Sequence, residues 1–377
     1  MKILFVATYG DFLATFELSN IELWTELGCE VHCVADFESA GYNRNTAKLD
    51  KLHVIKHQIK FSRSPIDKSN LVSYRNLRLL MKKERFDVLD CHNAVIGVFA
   101  RIAAHFCRIP YVIYTAHGFI FYRGGSVLKS MVFKPIEAFL AKWTNLLITI
   151  NEEDFAQSRR FHVNGKSLYV PGIGIDTEKI SKISENGVSI RRELGISNSA
   201  IIYLNVGELI PRKNQEALIR AFSMIKNTDS YLLICGIGAE RDKYLSLIEE
   251  LHLSDRVKLL GYRSDVPEIM HAVDCFVFPS IQEGLPVSLM EAMASGLPCI
   301  VSNIRGNSDL IQQGKGGWLV DPNNLNELST SMERLASADR LRMQQINLQN
   351  IKEFDIQNVR HIMKNEYSRI LATLKMN

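Results

Sequence analysis

Residues 275–301 read CFVFPSIQEGLPVSLMEAMASGLPCIV, a strand-like run followed by a turn and a helix-like run. The apolar residues Cys275–Phe278 predict a buried strand, and Pro279 ends it. Pro286 suits the first turn of a helix, and Gly296, with a proline two residues later, is a helix stop signal. A strand–turn–helix unit of this kind is typical of a parallel sheet covered by helices.

The same stretch carries two carboxylates. Glu283 lies in the turn, and we expect Glu291 about two turns down the helix. A helix N-terminus offers unpaired N–H groups and the positive end of a dipole, which suit a phosphate. Carboxylates beside it can accept hydrogen bonds from sugar and ribose hydroxyls. Together these features predict a pocket for a nucleotide-linked sugar.

Strand-like and helix-like segments alternate along the whole chain, which predicts an α/β fold with doubly wound parallel sheets. Pro171–Gly174 interrupts the alternation and predicts a hinge. We therefore expect two Rossmann-like domains, residues 1–171 with a tail helix over 356–377, and residues 172–355. Ligands should bind in a cleft at the carboxyl ends of the strands. The predicted strands are 3–8, 30–35, 88–91, 111–114, 146–150 and 167–170, then 201–206, 231–235, 257–260, 275–278, 298–301 and 318–320.

The composition is that of a globular protein, with 46% hydrophobic and 23% charged residues among 377. The seven cysteines are odd in number and form no CxxC pair, so neither a disulfide framework nor a zinc site is expected. No apolar run reaches the roughly 18 residues of a membrane span. We expect a cytoplasmic protein and no nucleic-acid partner.

Basic residues are concentrated in one part of the first half. Residues 51–150 hold 16 Lys and Arg against 5 Asp and Glu, an excess of 11. A solvated basic face explains this excess, and so does a surface that meets anionic lipid or a phosphorylated acceptor. Residues 123–143 combine Lys129, Lys134 and Lys142 with apolar side chains, a pattern typical of a segment that rests on a bilayer. Core packing explains those apolar side chains equally well.

Strand ends in the second half carry residues suited to a ligand. Arg212 and Lys213 follow the first predicted strand and can hold a diphosphate, Arg212 as a fork and Lys213 as a point charge. The next two loops offer glycines that permit close backbone approach and a Tyr-Arg pair able to frame a base. These candidate residues are Gly236, Gly238, Tyr262 and Arg263, and Gly207 is a further candidate in the loop that carries Arg212 and Lys213.

Two histidines follow predicted strands in the first half. His117 stands in the sequence YTAHG, and His92 in DCHN. A single histidine is more often a structural residue than a catalytic one. The strand-end position and the adjacent Gly118 favour a functional role for His117, whereas a structural role is favoured for His92.

The spacing from Glu283 to Glu291 resembles the E-x7-E signature of retaining glycosyltransferases of the GT-B fold, and PSIQEGLPVSLMEAMASGLPCI is similar to family 4. The segment YTAHGFIFYRGG is similar to that of bacterial capsule, exopolysaccharide and O-antigen enzymes of this family. The resemblance covers nearly the whole chain. It implies two Rossmann-like domains that face a central cleft, with the tail helix crossing back to the first domain.

The resemblance also implies roles for single residues. Arg212 and Lys213 would bind the donor diphosphate and stabilise the leaving group, Glu291 would hold the ribose, and Glu283 would contact the donor sugar. His117 would face that sugar from the other domain. The remaining donor contacts would come from the backbone of the first loop and of the turn after Glu283: Gly10, Gly284, Leu285, Pro286 and Val287.

Three positions depart from the family pattern. Gly10 lies in a loop where many relatives have a glycine pair, Ile120 stands where a second histidine is common, and Asp309 replaces a glutamate. The first departure bears on phosphate binding by that loop.

The function expected from these features is a metal-independent, retaining glycosyltransferase of the hexosyl or N-acetylhexosaminyl type. The donor would be a nucleotide-sugar, most simply UDP-linked, and no other cofactor is expected. No D-x-D triplet occurs in the chain, which argues against a metal-held diphosphate. The acceptor would be a lipid-diphosphate-linked saccharide in surface polysaccharide synthesis, reached from the cytoplasmic face of the inner membrane.

Several alternatives stay open. A sugar-nucleotide epimerase on the same fold would convert the donor without an acceptor. A glycoside hydrolase using Glu283 and Glu291 would need no nucleotide site. A non-catalytic partner subunit is a third alternative, against which the intact charged residues argue. A nicotinamide dehydrogenase is disfavoured because GxGxxG does not follow the first strand.

Overall fold

A computed structural model of the chain describes residues 1–39, 46–183 and 187–376. The chain forms two compact units. The first unit comprises Met1–Gly174 and Gln357–Asn377, and the second comprises Ile175–Ile356.

The first unit is built on a parallel sheet of seven strands in the order β3-β2-β1-β4-β5-β6-β7. The central strand β1 is buried along its length because helices cover both faces of the sheet. Its strands are β1 (Lys2–Tyr9), β2 (Glu30–Asp36), β3 (Ile55–Gln58), β4 (Val88–His92), β5 (Tyr111–Ala116), β6 (Leu146–Thr149) and β7 (Lys166–Tyr169).

The helices of the first unit connect successive parallel strands. They are α1 (Gly10–Phe12), α2 (Leu18–Glu26), α3 (Ala47–Asp50), α4 (Ser69–Glu84), α5 (Ala94–Cys107), α6 (Val127–Ala141) and α7 (Glu152–Ser158). A π-helical segment, Leu13–Glu17, joins α1 to α2. The polypeptide is therefore helical without a break from Gly10 to Glu26.

The second unit repeats this plan with six parallel strands in the order β10-β9-β8-β11-β12-β13. Its strands are β8 (Ile201–Val206), β9 (Ser230–Cys235), β10 (Val257–Gly261), β11 (Cys275–Phe278), β12 (Cys299–Ser302) and β13 (Gly317–Val320). Its helices are α8 (Thr177–Ser181), α9 (Gly187–Glu193), α10 (Gln215–Ser223), α11 (Arg241–Glu250), α12 (Val266–Met270), α13 (Val287–Ala294), α14 (Asn307–Leu310), α15 (Leu325–Arg334) and α16 (Arg340–Asn350). Short 3-10 turns lie at Pro211–Lys213, Leu335–Ser337 and Ile351–Phe354.

The long C-terminal helix α17 (Ile356–Met376) packs on the first unit. Its apolar face joins the core formed by β1, β2 and α2. Tyr367 is fully buried, stacks on Trp24 with ring centroids 4.1 Å apart, and its hydroxyl donates to Asp90 Oδ2 at 3.3 Å. Near the start of the helix, the Arg360 guanidinium lies within 3.0 Å of Glu22.

The structure confirms the predicted α/β class, because each unit is a doubly wound parallel sheet with the strand order of Rossmann folds. The predicted return of the tail helix to the first unit is also confirmed. The edge strand β3 was missed, since its four residues include Lys56, His57 and Gln58 and form no apolar run. The predicted position of Glu291 was wrong by one turn: α13 begins at Val287, which makes Glu291 its fifth residue.

Candidate active site

Two predicted cations of the second unit, Arg212 and Lys213, contact the predicted carboxylate of Glu283. The turn after β11 carries Glu283, which is 8% exposed. Its Oε1 atom lies 2.8 Å from Lys213 Nζ and 3.0 Å from Arg212 Nη1, and it accepts a hydrogen bond from Ser280 Oγ at 2.5 Å. The structure therefore brings together the cations and the carboxylate that the sequence placed 70 residues apart.

Neighbouring strands put these residues side by side. The 3-10 turn with Arg212 and Lys213 follows β8, the turn with Glu283 follows β11, and the two strands pair directly. Ile281 donates its N–H to the Arg212 carbonyl at 2.8 Å, so the loops are also joined through backbone. The Lys213 ammonium lies 4.7 Å from the centre of the Phe278 ring, which adds a cation–π contact.

The electrostatics of the cluster keep Glu283 ionised. Burial opposes the charge on Glu283, but the nearby Lys213 and Arg212 cations and the hydrogen bonds it accepts hold its pKa below the usual value. Arg212 remains 41% exposed at its side chain, against 13% for Lys213. One carboxylate with two cations leaves the cluster with excess positive charge, which suits an anionic ligand.

The pKa of Glu291 is shifted in the opposite direction from that of Glu283. Glu291 is half-buried, and burial raises its pKa to about 7. Among the described residues, no side chain forms an ion pair with it. A carboxyl group that is half-buried and unpaired can accept hydrogen bonds from the hydroxyls of a ligand.

The glycines of this unit separate into two kinds. A Cβ on Gly236 would lie 1.9 Å from the Gly207 carbonyl oxygen, and one on Gly238 would lie 2.3 Å from the Leu209 oxygen. Both glycines are therefore required by backbone packing of one strand-end loop on another. A Cβ on Gly207 would meet the Lys213 side chain at an ordinary 3.5 Å, so Gly207 lies against that side chain.

Tyr262 and Arg263 lie in the loop after β10. Tyr262 is 65% exposed. The Arg263 guanidinium is occupied within the protein, because it lies 2.6 Å from Asp265 and 2.9 Å from Glu193. Of this pair, the structure leaves the tyrosine as the group open to a ligand.

The turn after Glu283 leads directly into α13. Leu285 is buried, Pro286 precedes the helix in an extended conformation, and Val287 is its first residue. The first N–H groups of a helix have no partners within it, so this end of α13 offers donors near the cationic cluster. Gly306, with φ of +80°, packs against the turn, since its Cβ would lie 2.3 Å from the Gly284 oxygen.

A second cluster lies in the first unit, where β4 and β5 end side by side. His117 follows β5, and its Nε2 atom is 3.0 Å from Glu17 Oε1. His92 ends β4, and its Nδ1 atom is 3.4 Å from both Glu17 Oε1 and His117 Nε2. His92 and Glu17 are buried, whereas 16% of the His117 side chain is exposed. Gly10 begins the helix that leads to Glu17 and packs on the Phe37 ring.

The three ligand-capable atoms of Glu17, His92 and His117 all lie within 4.8 Å of one another. Within the described ranges, this is the group of such side chains close enough to hold a metal ion. Burial lowers the pKa of His92 to about 4, so its imidazole is neutral near pH 7.

Two family models match the chain. The model described as Glycosyltransferase Family 4 matches residues 20–179, and the model described as Glycosyl transferases group 1 matches residues 188–350. EpsD of Bacillus subtilis (strain 168), which is named a glycosyltransferase, is 33% identical over 327 residues, covering 85% of this chain and 83% of EpsD. The chain belongs to the family 4 glycosyltransferases.

This glycosyltransferase is also similar to an Escherichia coli UDP-Gal:alpha-D-GlcNAc-diphosphoundecaprenol alpha-1,3-galactosyltransferase, with 33% identity over 75% of this chain and 74% of that one. HepE of Anabaena, solved in complex with UDP, superimposes with a TM-score of 0.78 over 98% of this chain and 100% of HepE. At 20% identity, that likeness shows the fold. The predicted family, fold and enzyme class are thereby confirmed.

Three residues of these clusters were not predicted from the sequence. Ser280 stands three residues before Glu283 and caps its carboxylate. Buried Arg305 donates from Nε to the Glu283 carbonyl at 3.1 Å, and its position just after β12 was a signal of the kind used for Arg212. Glu17 lies on a helix rather than at a strand end, and no sequence signal pointed to it.

Proposed function

We propose that the protein is a retaining glycosyltransferase that moves a hexosyl or N-acetylhexosaminyl group from a UDP-linked donor to a lipid-diphosphate-linked saccharide. The observation that carries the proposal is the convergence of Arg212 and Lys213 on Glu283 at the start of α13. A cationic cluster beside free helix N–H groups suits a sugar diphosphate, and Glu291 on the same helix is available to ribose hydroxyls.

In this mechanism, Arg212 and Lys213 stabilise the charge that develops on the departing diphosphate. Fixed cations of this kind are commonly the largest electrostatic contribution to catalysis. The acceptor attacks the face that the leaving group departs from, and a leaving phosphate oxygen takes the acceptor proton. Glu283 then acts by position and charge, holding the donor sugar while it orders the two cations. His117 of the first unit contacts a sugar hydroxyl, and no metal takes part.

The choice of donor and acceptor rests on the Escherichia coli relative, whose name specifies UDP-Gal and a GlcNAc linked to diphosphoundecaprenol. Identity of 33% over three quarters of the chain makes a substrate of the same chemical class the most economical proposal. Such a reaction belongs to the synthesis of surface polysaccharides such as capsule or O-antigen, on the cytoplasmic side of the inner membrane.

A panel assay tests this proposal. The protein is incubated with UDP-, GDP- and dTDP-linked sugars, with and without a short-chain prenyl-diphosphate GlcNAc, and both nucleotide release and glycan products are measured. Acceptor-dependent release of UDP, with the anomeric configuration of the donor kept in the product, supports the proposal. Inversion contradicts the retaining mechanism. Isomerised donor without acceptor indicates an epimerase, and hydrolysis of a glycan without nucleotide indicates a glycosidase.

We further propose that the first unit docks on an anionic membrane through helix α6. Core packing accounts for part of the apolar residues of this helix, such as buried Leu140, but another set of them is exposed. Within the described residues, no helix is both long and apolar enough to span a bilayer. The exposed apolar residues, with the exposed fraction of each in parentheses, are Val127 (74%), Leu128 (72%), Met131 (70%), Val132 (49%) and Phe139 (52%).

Basic side chains accompany this apolar face. Lys129 and Lys142 are exposed, whereas Lys134 is half-buried, so the first two carry the electrostatic part of the proposal. Each basic residue near an anionic surface contributes about 1 kcal/mol. Attachment of this kind is salt-sensitive and reversible, and it would keep the cluster at His117 near lipid-linked acceptors.

Vesicle sedimentation tests the docking surface. Binding to phosphatidylglycerol-containing vesicles should fall as salt rises from about 50 to about 500 mM, because screening shortens the range of the attraction. Changing Lys129 and Lys142 to Glu should weaken partitioning by at least about 30-fold, since about 2 kcal/mol of attraction is lost. The control changes Lys226 and Lys315, exposed lysines of the second unit, to Glu. Equal loss in the control, or no preference for anionic vesicles, would contradict docking through α6.

A further inference from the structure

The side chain of Glu17, which lies on a π-helical turn, is beside His117. Glu17 ends the π-helical segment Leu13–Glu17, which interrupts an otherwise α-helical stretch. π-Helical turns are rare and lie frequently at functional sites, since they rotate the side chains that follow. Here the turn leaves Glu17 only 1% exposed, facing the ends of β4 and β5. Nothing in the mechanism above uses this carboxylate.

The contacts of Glu17 are directed at the histidines. Its Oε1 atom lies 3.0 Å from His117 Nε2 and 3.4 Å from His92 Nδ1. Its other oxygen accepts a hydrogen bond from Asn20 Nδ2 at 2.7 Å, which fixes the orientation of the carboxylate. The Phe12 ring packs edge-on against the imidazole of His117, with centroids 5.0 Å apart. The imidazole is therefore restrained by the ring on one side and by the carboxylate at Nε2.

The chemistry of this contact determines which nitrogen of His117 carries hydrogen. An ionised carboxylate is an acceptor only, so a hydrogen bond to it requires a hydrogen on Nε2. In a neutral imidazole the other nitrogen, Nδ1, is then an acceptor. The same logic applies wherever a carboxylate orients a functional histidine.

The charge state of Glu17 is consistent with this role. Burial opposes its ionisation, but the charges that His92 and His117 can carry and the hydrogen bond from His117 hold its pKa below the usual value. The other titratable groups facing this region are Asp90 and Tyr367, and burial raises the pKa of both well above the usual range. The pKa of the Glu17 carboxyl is thus shifted in the opposite direction from that of the Asp90 carboxyl.

We propose that Glu17 is a positioning residue that holds His117 as the Nε2–H tautomer, so that Nδ1 accepts a hydrogen bond from a sugar hydroxyl. The proposal rests on the proposed function and deepens it, because it assigns the chemistry of the ligand group that His117 recognises. An acceptor nitrogen favours a hydroxyl, which can donate, over a phosphate oxygen, which cannot. His117 would therefore select a sugar hydroxyl rather than a phosphate oxygen.

Three variants and one control test the proposal. Glu17→Gln keeps the shape but removes the charge, so its amide can pair with either tautomer. Glu17→Asp keeps the charge but withdraws it by about 1.5 Å, one carbon–carbon bond. His117→Ala identifies the signals of His117 and reports whether that residue matters for turnover. The matched control is Glu30→Gln, which removes a carboxylate 2.7 Å from His32 Nε2 at the opposite end of the same sheet.

The first readout is spectroscopic and independent of activity. In long-range 1H–15N correlation spectra of protein labelled with 15N-histidine, the protonated and unprotonated ring nitrogens of a neutral imidazole resonate far apart. His117 should show the Nε2–H pattern in the parent protein and in Glu30→Gln. In Glu17→Gln it should show the Nδ1–H pattern or a mixture. In Glu17→Asp the parent pattern should be kept.

The second readout is turnover of the UDP-linked donor that is active in the panel. Glu17→Gln should lower kcat by about 10- to 100-fold with KM changed much less, an effect of the size expected for a misplaced proton. Glu17→Asp should recover part of that loss, and Glu30→Gln should match the parent. Thermal unfolding of each variant checks that it folds. If Glu17→Gln does not fold, the tautomer of His117 in the parent protein carries the test, and an Nδ1–H pattern there would overturn the proposal.

The possible results distinguish a failure of the Glu17 proposal from a failure of the proposed function. An Nε2–H pattern and parent turnover in Glu17→Gln would overturn the positioning role while leaving the proposed function intact. Parent turnover in His117→Ala, with the tautomer still altered in Glu17→Gln, would overturn the role of His117 in the reaction itself. A stoichiometric metal ion in the purified protein that is lost in Glu17→Gln would overturn the proposal in favour of a metal site.

Discussion

Glu291→Gln should make the protein more stable to denaturation at alkaline pH, although it removes a residue of the proposed donor site. The reason lies in the unpaired, half-buried carboxyl of Glu291, whose pKa burial raises from the ordinary 4.5 to about 7. Between these two values the folded protein keeps a proton that the unfolded chain has lost. Stability of the parent therefore falls as pH rises through this window, and the loss is complete above about pH 7.

The size of the effect follows from the shift. One pKa unit corresponds to about 1.4 kcal/mol, so the shift on Glu291 costs the parent about 3 kcal/mol of unfolding free energy near pH 8. Near pH 5 most of this cost is absent, because the folded carboxyl is protonated and the unfolded one only partly ionised. Glutamine has no proton to lose, so the variant should gain about 2 to 3 kcal/mol relative to the parent between pH 5 and pH 8.

Urea denaturation of both proteins at several pH values between about 5 and 8 measures this difference. The control is Glu249→Gln, an exposed glutamate near the end of α11 in the same unit. Because only the difference between variant and parent is used, all other titrating groups cancel. A stability difference for Glu291→Gln that does not change with pH would refute the reasoning, as would an equal change in the control.

The same carboxyl links stability to donor binding. Ribose hydroxyls donate to an ionised carboxylate more strongly than to a protonated one. Affinity of the parent for UDP should therefore increase as pH rises through about 7, whereas Glu291→Gln should bind UDP weakly at every pH. Calorimetric titration at pH 6 and pH 8 measures both, and unchanged UDP affinity in the variant would mean that Glu291 does not contact the nucleotide.

Lys213→Met should lower kcat by about 100- to 1000-fold, because one fixed cation at the leaving group is worth about 3 to 4 kcal/mol in the transition state. Lys243→Met, which removes a 2.8 Å ion pair with Glu216, is its control, and near-parent turnover of Lys213→Met would contradict the diphosphate assignment. Chelation with EDTA should leave transfer largely unchanged, and a strong loss restored by Mg²⁺ or Mn²⁺ would show that the cations alone do not suffice. Gly236→Ala should unfold at clearly lower urea than Gly207→Ala, since its Cβ would lie 1.9 Å from a carbonyl oxygen, and equal midpoints would refute the packing argument.

The fold was predictable because most strands of both sheets are buried on two faces and therefore read as apolar runs. The edge strand β3 does not, as it is partly exposed and includes Lys56 and His57. The π-helical turn was not predictable either. Residues 16–27 follow an ordinary helical period, and the Phe12 ring just before the turn at Leu13–Glu17 packs on His92 and His117, which are distant in sequence.

The second-unit cluster was predictable from strand order alone. Parallel strands end at one edge, so charged residues that follow β8 and β11 had to meet. What the sequence did not reveal is how single residues are used there. The Arg263 guanidinium forms ion pairs with Asp265 and Glu193. Gly236 and Gly238 allow close packing of neighbouring backbone.

The position of α17 has a consequence for biosynthesis. The first unit is assembled from two separate segments of the chain, whereas the second is one continuous segment. On the ribosome, residues that form the first sheet emerge early. Trp24 has no stacking partner until Tyr367 has been translated. The second unit can thus complete its core before the first one does. Until α17 has been made, the apolar residues of the first unit that it covers in the folded protein lack that cover.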